Sequence, residues 1–208
     1  MIGLNLKFKS FKNNHNSERK KILSEIIKKI NKNDKPDFIK SFKQNYKYSY
    51  DRKFLSKYFK FKNINIIGMG GSSLGSKAIY SFFKSKIKKK FHFSEDLILN
   101  KINKNNDLNI IISKSGNTLE TISNSNILIK KKSKNIFITE NKKSFLIYLA
   151  NKLKSEIIQH NNFIGGRYAV LSEVGMLPAQ LMGFKPEKFR RFNDLIKNKK
   201  FLNNLVEN

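Results

Sequence analysis

The sequence predicts a three-layer αβα sandwich with a mostly parallel sheet, preceded by amphipathic helices. Short runs rich in isoleucine alternate with longer stretches whose apolar residues recur at helical spacing. Loops of glycine, serine and threonine follow two of these runs, where strand gives way to helix. Strands that alternate with helices are joined by right-handed crossovers, which makes them parallel neighbours in one sheet.

A helical lead-in is expected over residues 1–60. From Ile22 to Ile30 the apolar residues recur at helical spacing, and Ser17 is a suitable start for this helix. Pro36 is placed to open a second helix. We expect the apolar side chains of a third amphipathic stretch to pack in the core: Phe54, Leu55, Tyr58 and Phe59.

The sheet is expected within residues 61–185. Predicted strands cover 64–67, 109–112, 136–139 and 156–159, and a predicted helix follows each of the first three. The lysine-rich runs 86–90 and 130–134 are interpreted as solvated ends of helices. Residues 186–208, with a helix over 189–205, are predicted to connect to a second domain that lies beyond this chain.

Charge and composition limit the classes of function. The sequence has 43 Lys and Arg residues but only 15 Asp and Glu residues, which gives a net charge of +28. The wealth of Lys, Asn, Ile and Phe fits compositional drift in an A/T-rich genome, and a selected polyanion-binding surface is the alternative. The lack of cysteine excludes disulfides, Cys-ligated zinc and Cys nucleophiles. Neither a signal peptide nor an apolar run of about 18 residues is apparent, so we expect a cytoplasmic protein without a membrane partner.

A glycine loop, GMGGSSLG, follows the first predicted strand at 68–75. A strand, a glycine turn and a helix together form an anion cradle, because backbone N–H groups and the helix N-terminus approach the ligand closely. The spacing differs from the dinucleotide fingerprint G-x-G-x-x-G, and the Gly-Lys-Ser/Thr of a P-loop is missing. A tight turn without a ligand is the alternative.

A second loop, SKSGNT, follows the next predicted strand at 113–118. Ser113, Ser115 and Thr118 can each donate to a phosphate oxygen, and ligands of open parallel sheets bind at the carboxyl ends of strands. The two loops could therefore converge on one phosphate. The alternative is a helix N-cap, with Thr118 and Glu120 in the first turn.

A third segment begins with Gly165, Gly166 and Arg167. The glycines allow close approach to a ligand, and an arginine there remains charged and can stabilise a developing oxyanion. Residues 172–182 predict a helix of small residues that packs tightly against the sheet.

These three segments, in this order and spacing, resemble the phosphoglucose isomerase family. Residues 165–183 are similar to one of its signature sequences, whereas the 113–118 loop alone would indicate only the wider sugar-isomerase (SIS) superfamily, whose fold is flavodoxin- or Rossmann-like. The resemblance covers about residues 48–208, and the lead-in helices are compatible with it.

The resemblance implies isomerisation of glucose 6-phosphate and fructose 6-phosphate through a cis-enediol, in glycolysis and gluconeogenesis. It implies no cofactor or metal, sugar phosphates as ligands, no specific nucleic acid, and a homodimer for the full-length enzyme. Its implied site residues are Gly71 and Ser72 beside the substrate, Ser113, Ser115 and Thr118 around the phosphate, Lys114 near the substrate, Arg167 on the enediolate, and Glu120 supporting the loop.

The family's base glutamate and its later histidine and lysine have no matching motif in this sequence. We therefore expect an amino-terminal portion that is inactive alone. His15, His92 and His160 lie outside matching contexts and are expected on the surface or in loops. One alternative is a non-catalytic sugar-phosphate-sensing module, which would have no need of Arg167. Another is a basic nucleic-acid binder, although no nucleic-acid motif is recognised.

Overall fold

The computed structural model describes residues 16–31, 37–97, 108–131 and 133–191. Five parallel strands form one sheet in the order β2-β1-β3-β4-β5. Their bounds are Asn63–Ile67 (β1), Lys90–Ser94 (β2), Leu108–Ile112 (β3), Lys134–Thr139 (β4) and Glu156–Gln159 (β5). The predicted parallel α/β fold is confirmed, and four of the strands lie where the sequence predicts them.

Seven α-helices accompany the sheet in the described part of the chain. They are Asn16–Asn31 (α1), Arg52–Ser56 (α2), Leu74–Phe83 (α3), Leu119–Leu128 (α4), Phe145–Lys152 (α5), Glu173–Leu181 (α6) and Pro186–Phe189 (α7). The segment expected to form a second lead-in helix is instead a short 3₁₀ helix, Asp37–Phe42, and another, Gly166–Leu171, precedes α6. Pro36, His15 and most of the helix predicted over 189–205 lie outside the described residues.

Apolar layers cover both faces of the sheet. Because successive side chains of a strand point to opposite faces, Ile110 and Ile112 pack toward α3 and α6, while Ile111 packs toward α4 and α5. Leu55 and Tyr58 of the lead-in join the first of these layers. Strands buried on both faces need continuous apolar runs, which explains the isoleucine-rich sequence of β1, β3 and β4.

Strand β2 is the element that the sequence analysis misses. It pairs with β1 at one end of the sheet, with His92 opposite Asn65. The prediction for His92 is therefore wrong, because it lies half-buried in a strand. The lysine-rich runs are predicted to be solvated helix ends. Each of them extends further, to the first residue of a strand: Lys90 in β2 and Lys134 in β4.

Two further side chains depart from the predicted burial. Phe59 is 42% exposed, so it is not part of the core, whereas Leu55 and Tyr58 are buried as expected. His160 lies in the loop after β5, yet it is only 2% exposed. Burial lowers the pKa of His160. No helix among the described residues is long and apolar enough to cross a membrane.

A ladder of three asparagines crosses the centre of the sheet. Asn65, Asn109 and Asn135 occupy matching positions on β1, β3 and β4. The amide of Asn65 donates to Oδ1 of Asn109 at 2.8 Å, and the amide of Asn109 donates to Oδ1 of Asn135 at 2.9 Å. A slip of one residue would move these amides to the opposite face, so the ladder stabilises the register.

Candidate functional site

The glycine loop and the hydroxyl loop lie side by side at the carboxyl edge of the sheet. Their strands are neighbours, with Ile67 opposite Ile111. The contact is close: a Cβ placed on Gly68 would lie 2.8 Å from the carbonyl oxygen of Ile112, the residue just before the hydroxyl loop. The two loops are thus neighbours, and their convergence on one phosphate stays a prediction.

Three hydroxyl groups form a cluster in the loop after β3. The Oγ of Ser113 lies 2.8 Å from Oγ1 of Thr118, and the Oγ of Ser115 lies 3.4 Å from both. Gly116 turns the chain at φ +69°, in the left-handed region that favours glycine, and its N–H donates to Oγ of Ser113. Ser113 is 2% exposed and Ser115 is exposed, so the cluster runs from the interior to the surface.

The helices that follow these two loops have open amino-terminal ends. Ser144 and Ser172 cap α5 and α6 through their side chains, as serine usually does. Neither Ser73 at the start of α3 nor Thr118 at the start of α4 makes such a bond. Thr118 is a good capping residue, but its hydroxyl is within hydrogen-bond distance of Ser113 and Ser115 instead. No side chain caps either helix, so the first-turn backbone N–H groups of α3 and α4 at this edge are left without a side-chain acceptor.

The segment that carries Arg167 lies against the glycine loop. A Cβ on Gly71 would overlap the backbone of Gly166, so only glycine allows this approach. Arg167 is exposed, and its guanidinium carbon lies 5.9 Å from the ring centroid of Tyr168. Ser72 is half-buried. In the described part of the chain, neither Arg167 nor Ser72 hydrogen-bonds the hydroxyl loop, so the structure joins the three segments through backbone contacts.

Lys114 is held between the loops that follow β4 and β5. Its Nζ donates to the carbonyl oxygen of Asn162 at 2.6 Å and lies 3.5 Å from Oε1 of Glu140. Lys142 binds the other oxygen of Glu140 at 2.6 Å. Burial alone would raise the pKa of Glu140, but the hydrogen bonds and charges of Lys142 and Lys114 hold that pKa below its ordinary value.

Glu140 and Asn162 contact the candidate site residue Lys114, and neither is predicted from the sequence. Glu140 directly follows β4, so the rule that ligands gather at the carboxyl ends of strands could have found it. Nothing in the sequence marks the carbonyl group of Asn162. Glu120 lies in the first turn of α4, where a carboxylate favours the helix dipole. Its supporting role stays a prediction, since no side-chain hydrogen bond joins it to the hydroxyl loop among the described residues.

A buried carboxylate at the start of α6 binds residues of the lead-in. Glu173, at the start of α6, is 0% exposed and accepts hydrogen bonds from the Tyr46 hydroxyl, at 2.9 and 3.1 Å, and from Ser49. The amide of Asn161 donates to the Tyr46 oxygen at 2.8 Å. Burial and the neighbouring Glu173 carboxylate raise the pKa of Tyr46. Glu173 is therefore a structural acceptor that binds the lead-in to the loop after β5.

Two solved structures share the fold. A hypothetical protein from Thermus thermophilus superposes with a TM-score of 0.69 at 20% identity, over 92% of this chain and 52% of the other. Tagatose-6-phosphate ketose/aldose isomerase from Escherichia coli gives a TM-score of 0.54 at 18% identity, over 74% and 46%. At these identities the likeness concerns the fold alone.

Curated relatives are more similar in sequence. The chain is 39% identical over 137 residues to a glucose-6-phosphate isomerase of Borrelia garinii subsp. bavariensis, covering 56% of this chain and 26% of the relative. It is 32% identical over 173 residues to the glucose-6-phosphate isomerase of Methanocaldococcus jannaschii, covering 70% and 42%. The chain thus spans less than half the length of these two relatives. A family model described as phosphoglucose isomerase matches residues 15–207, nearly the whole chain, and on this ground the chain belongs to the phosphoglucose isomerase family.

Proposed function

We propose that this chain supplies the sugar-phosphate-binding part of a glucose-6-phosphate isomerase, which interconverts glucose 6-phosphate and fructose 6-phosphate through a cis-enediol. The observation that carries the proposal is the hydroxyl cluster beside the open end of α4. A phosphate dianion there would accept from the hydroxyls and from the free backbone N–H groups, and would neutralise the helix dipole.

The remaining roles follow from this position of the phosphate. Ser113, Ser115 and Thr118 bind the phosphate, and Gly71 and Ser72 on the adjoining loop lie beside the sugar. Arg167 directly follows Gly166, whose backbone lies against Gly71. From there Arg167 would reach the reacting carbons and stabilise the negative charge of the enediolate. Lys114 would bind substrate oxygens from the position that Asn162 and Glu140 give it.

Proton transfer between C1 and C2 needs a carboxylate base that is free to accept a proton. Glu140 is the carboxylate nearest to Lys114 among the described residues, and two lysines keep its pKa low, which makes it a weak base. We therefore propose that the 208-residue chain binds the sugar phosphate without converting it. The base, and the second subunit of a homodimer, would belong to the full-length protein.

Titration calorimetry with glucose 6-phosphate tests the binding proposal. Replacing Ser113 or Thr118 by alanine removes a donor to a charged group, so each variant should bind about tenfold more weakly or worse. The matched control is Ser81→Ala, on the exposed surface of α3, and it should bind as the parent does. Equal affinity of all four proteins would refute the phosphate position.

A coupled assay for fructose 6-phosphate formation tests the catalytic part separately. We expect no turnover by the purified chain, and measurable turnover would contradict the proposed lack of a base.

Arg167→Ala discriminates the enzyme from a sensing module. In a full-length isomerase this variant should lose kcat with little change in substrate binding, whereas a module that only senses the ligand would show no such effect.

A further inference from the structure

A cavity of about 400 Å³ opens at the amino edge of the sheet, opposite the candidate site. Lysine accounts for 38 of the 208 residues but for five of the twelve that line this cavity. These five are Lys57, Lys60, Lys131, Lys134 and Lys154. The share of lysine among the lining residues exceeds its share in the whole chain.

The parallel topology explains how these charges meet. Lys134 is the first residue of β4, and Lys154 stands two residues before β5. Neighbouring parallel strands begin at the same edge, so both residues lie at the amino edge of the sheet. Lys57 and Lys60 of the lead-in also line the cavity.

The positive charges at the cavity are poorly neutralised. Glu156 is the one carboxylate in its lining, and it already pairs with Lys57 at 3.5 Å. Within the described ranges, Lys131, Lys134 and Lys154 have no carboxylate within ion-pair distance. Ser133, Ser155 and Asn135 add uncharged donors to the lining. Such a site suits an anion that carries several charges close together.

The backbone of Lys154 is a second, independent observation. Its φ is +48°, a left-handed value that it shares with no other non-glycine residue among those described. The bonds from Lys154 N to Asn151 O and from Ser155 N to Ala150 O close a Schellman motif after α5, in which this position is usually glycine. A lysine is thus held at the cavity in a conformation that costs stability.

We propose that this cavity binds a small anion with several phosphate groups, independently of the sugar-phosphate site. The five lysines that line the cavity provide charge-assisted hydrogen bonds to adjacent phosphates, and Lys154 is one of the residues that bind. The site differs from the carboxyl-edge site in its ligand, since a monophosphate would contact only part of the lysine set.

Inorganic tripolyphosphate is the probe, titrated into the 208-residue chain at an ionic strength of about 0.15 M, where weak surface attraction is screened. We expect Lys154→Asn to weaken its binding about tenfold. Asparagine tolerates the left-handed conformation, so the variant should unfold at the same temperature as the parent or higher. The matched control, Lys86→Asn, removes the same charge from an exposed position outside the cavity and should leave binding unchanged.

Three results would overturn the proposal. Equal weakening by both substitutions would mean that net charge alone attracts the probe. Displacement of tripolyphosphate by glucose 6-phosphate would place it at the carboxyl edge. Tighter binding of a 15-nucleotide single-stranded RNA than of tripolyphosphate would assign the lysines to nucleic acid. Unchanged tripolyphosphate binding by the Ser113→Ala variant would support two separate sites, whatever that variant does to sugar-phosphate affinity.

Discussion

Replacing Thr118 by aspartate should stabilise the chain and abolish sugar-phosphate binding. Thr118 occupies the N-cap position of α4 with extended backbone angles, φ −67° and ψ 120°, but its side chain does not cap the helix. An aspartate there has the geometry to accept the N–H groups of the first turn. If these groups are kept free for a ligand, a capping side chain must compete with that ligand.

The size of both effects can be estimated. A new cap contributes about 0.5–2 kcal/mol, and a negative charge at a helix start a further 0.3–1 kcal/mol or so. The Ser113 hydroxyl, now 2.8 Å from Thr118 Oγ1, can donate to the aspartate, so little is lost. A net gain of about 1 kcal/mol raises the melting temperature of a chain this long by roughly 2–4 °C.

Binding should change in the opposite direction. A carboxylate about 4 Å from a phosphate repels it by about 4 kcal/mol per charge pair at an effective dielectric of about 20, before screening by salt. We therefore expect glucose 6-phosphate affinity to fall at least about 100-fold. The neutral Thr118→Asn is the matched variant: it should also cap α4, while weakening binding much less.

Thermal melts and calorimetric titrations of the two variants test the reasoning. If Thr118→Asp binds glucose 6-phosphate as tightly as the parent, the phosphate does not lie at the start of α4. If both variants melt below the parent while binding is lost, the loop has collapsed, and the open helix end has no special relation to the ligand.

Two further predictions concern the sheet and its loops. Asn109→Ala removes the acceptor of the Asn65 amide and the donor to Oδ1 of Asn135 in the interior, so the unfolding free energy in urea should fall by about 2–5 kcal/mol, whereas Asn126→Ala on the exposed side of α4 should change it little. Burial lowers the pKa of His160 from 6.5, so the unfolded chain binds the proton more readily, and stability should fall as the pH drops below about 6.5. This decrease, at most about 1.4 kcal/mol per pH unit, should be absent in His160→Asn, and its persistence there would assign it to another group.

The sequence was sufficient to predict the strands whose side chains are buried on both faces. The runs in β1, β3 and β4 are rich in apolar residues on both faces, and those in β1 and β3 end in a glycine or hydroxyl loop, so pattern and turn chemistry agree there. Strand β2 is not predicted because it has only two apolar residues, Phe91 and Phe93, and His92 separates them, so no continuous apolar run marks it. Phe91, the buried residue of β2, lies in a strand that pairs with β1, and its ring contacts that of Tyr80 in α3.

Residues of the candidate site can likewise be predicted only where their segment carries a local sequence pattern. The hydroxyl and glycine loops carry a local pattern, so Ser113, Thr118 and Gly71 can be found in the sequence. The partners of Lys114 carry none: one is a backbone carbonyl group and the other a single glutamate. Contacts of this kind depend on which loops the sheet brings together, a property of the strand order and not of any segment.

The lead-in segment before the sheet contributes to the site through Tyr46. Its hydroxyl donates to the buried Glu173 and accepts from Asn161, which joins α6 to the loop after β5. The next residue in that loop, Asn162, holds Lys114. Glu173 is fully buried, and removing one of its hydrogen-bond donors would leave a buried acceptor less well satisfied, which is costly. The position of Lys114 is therefore coupled to the packing of the lead-in on α6.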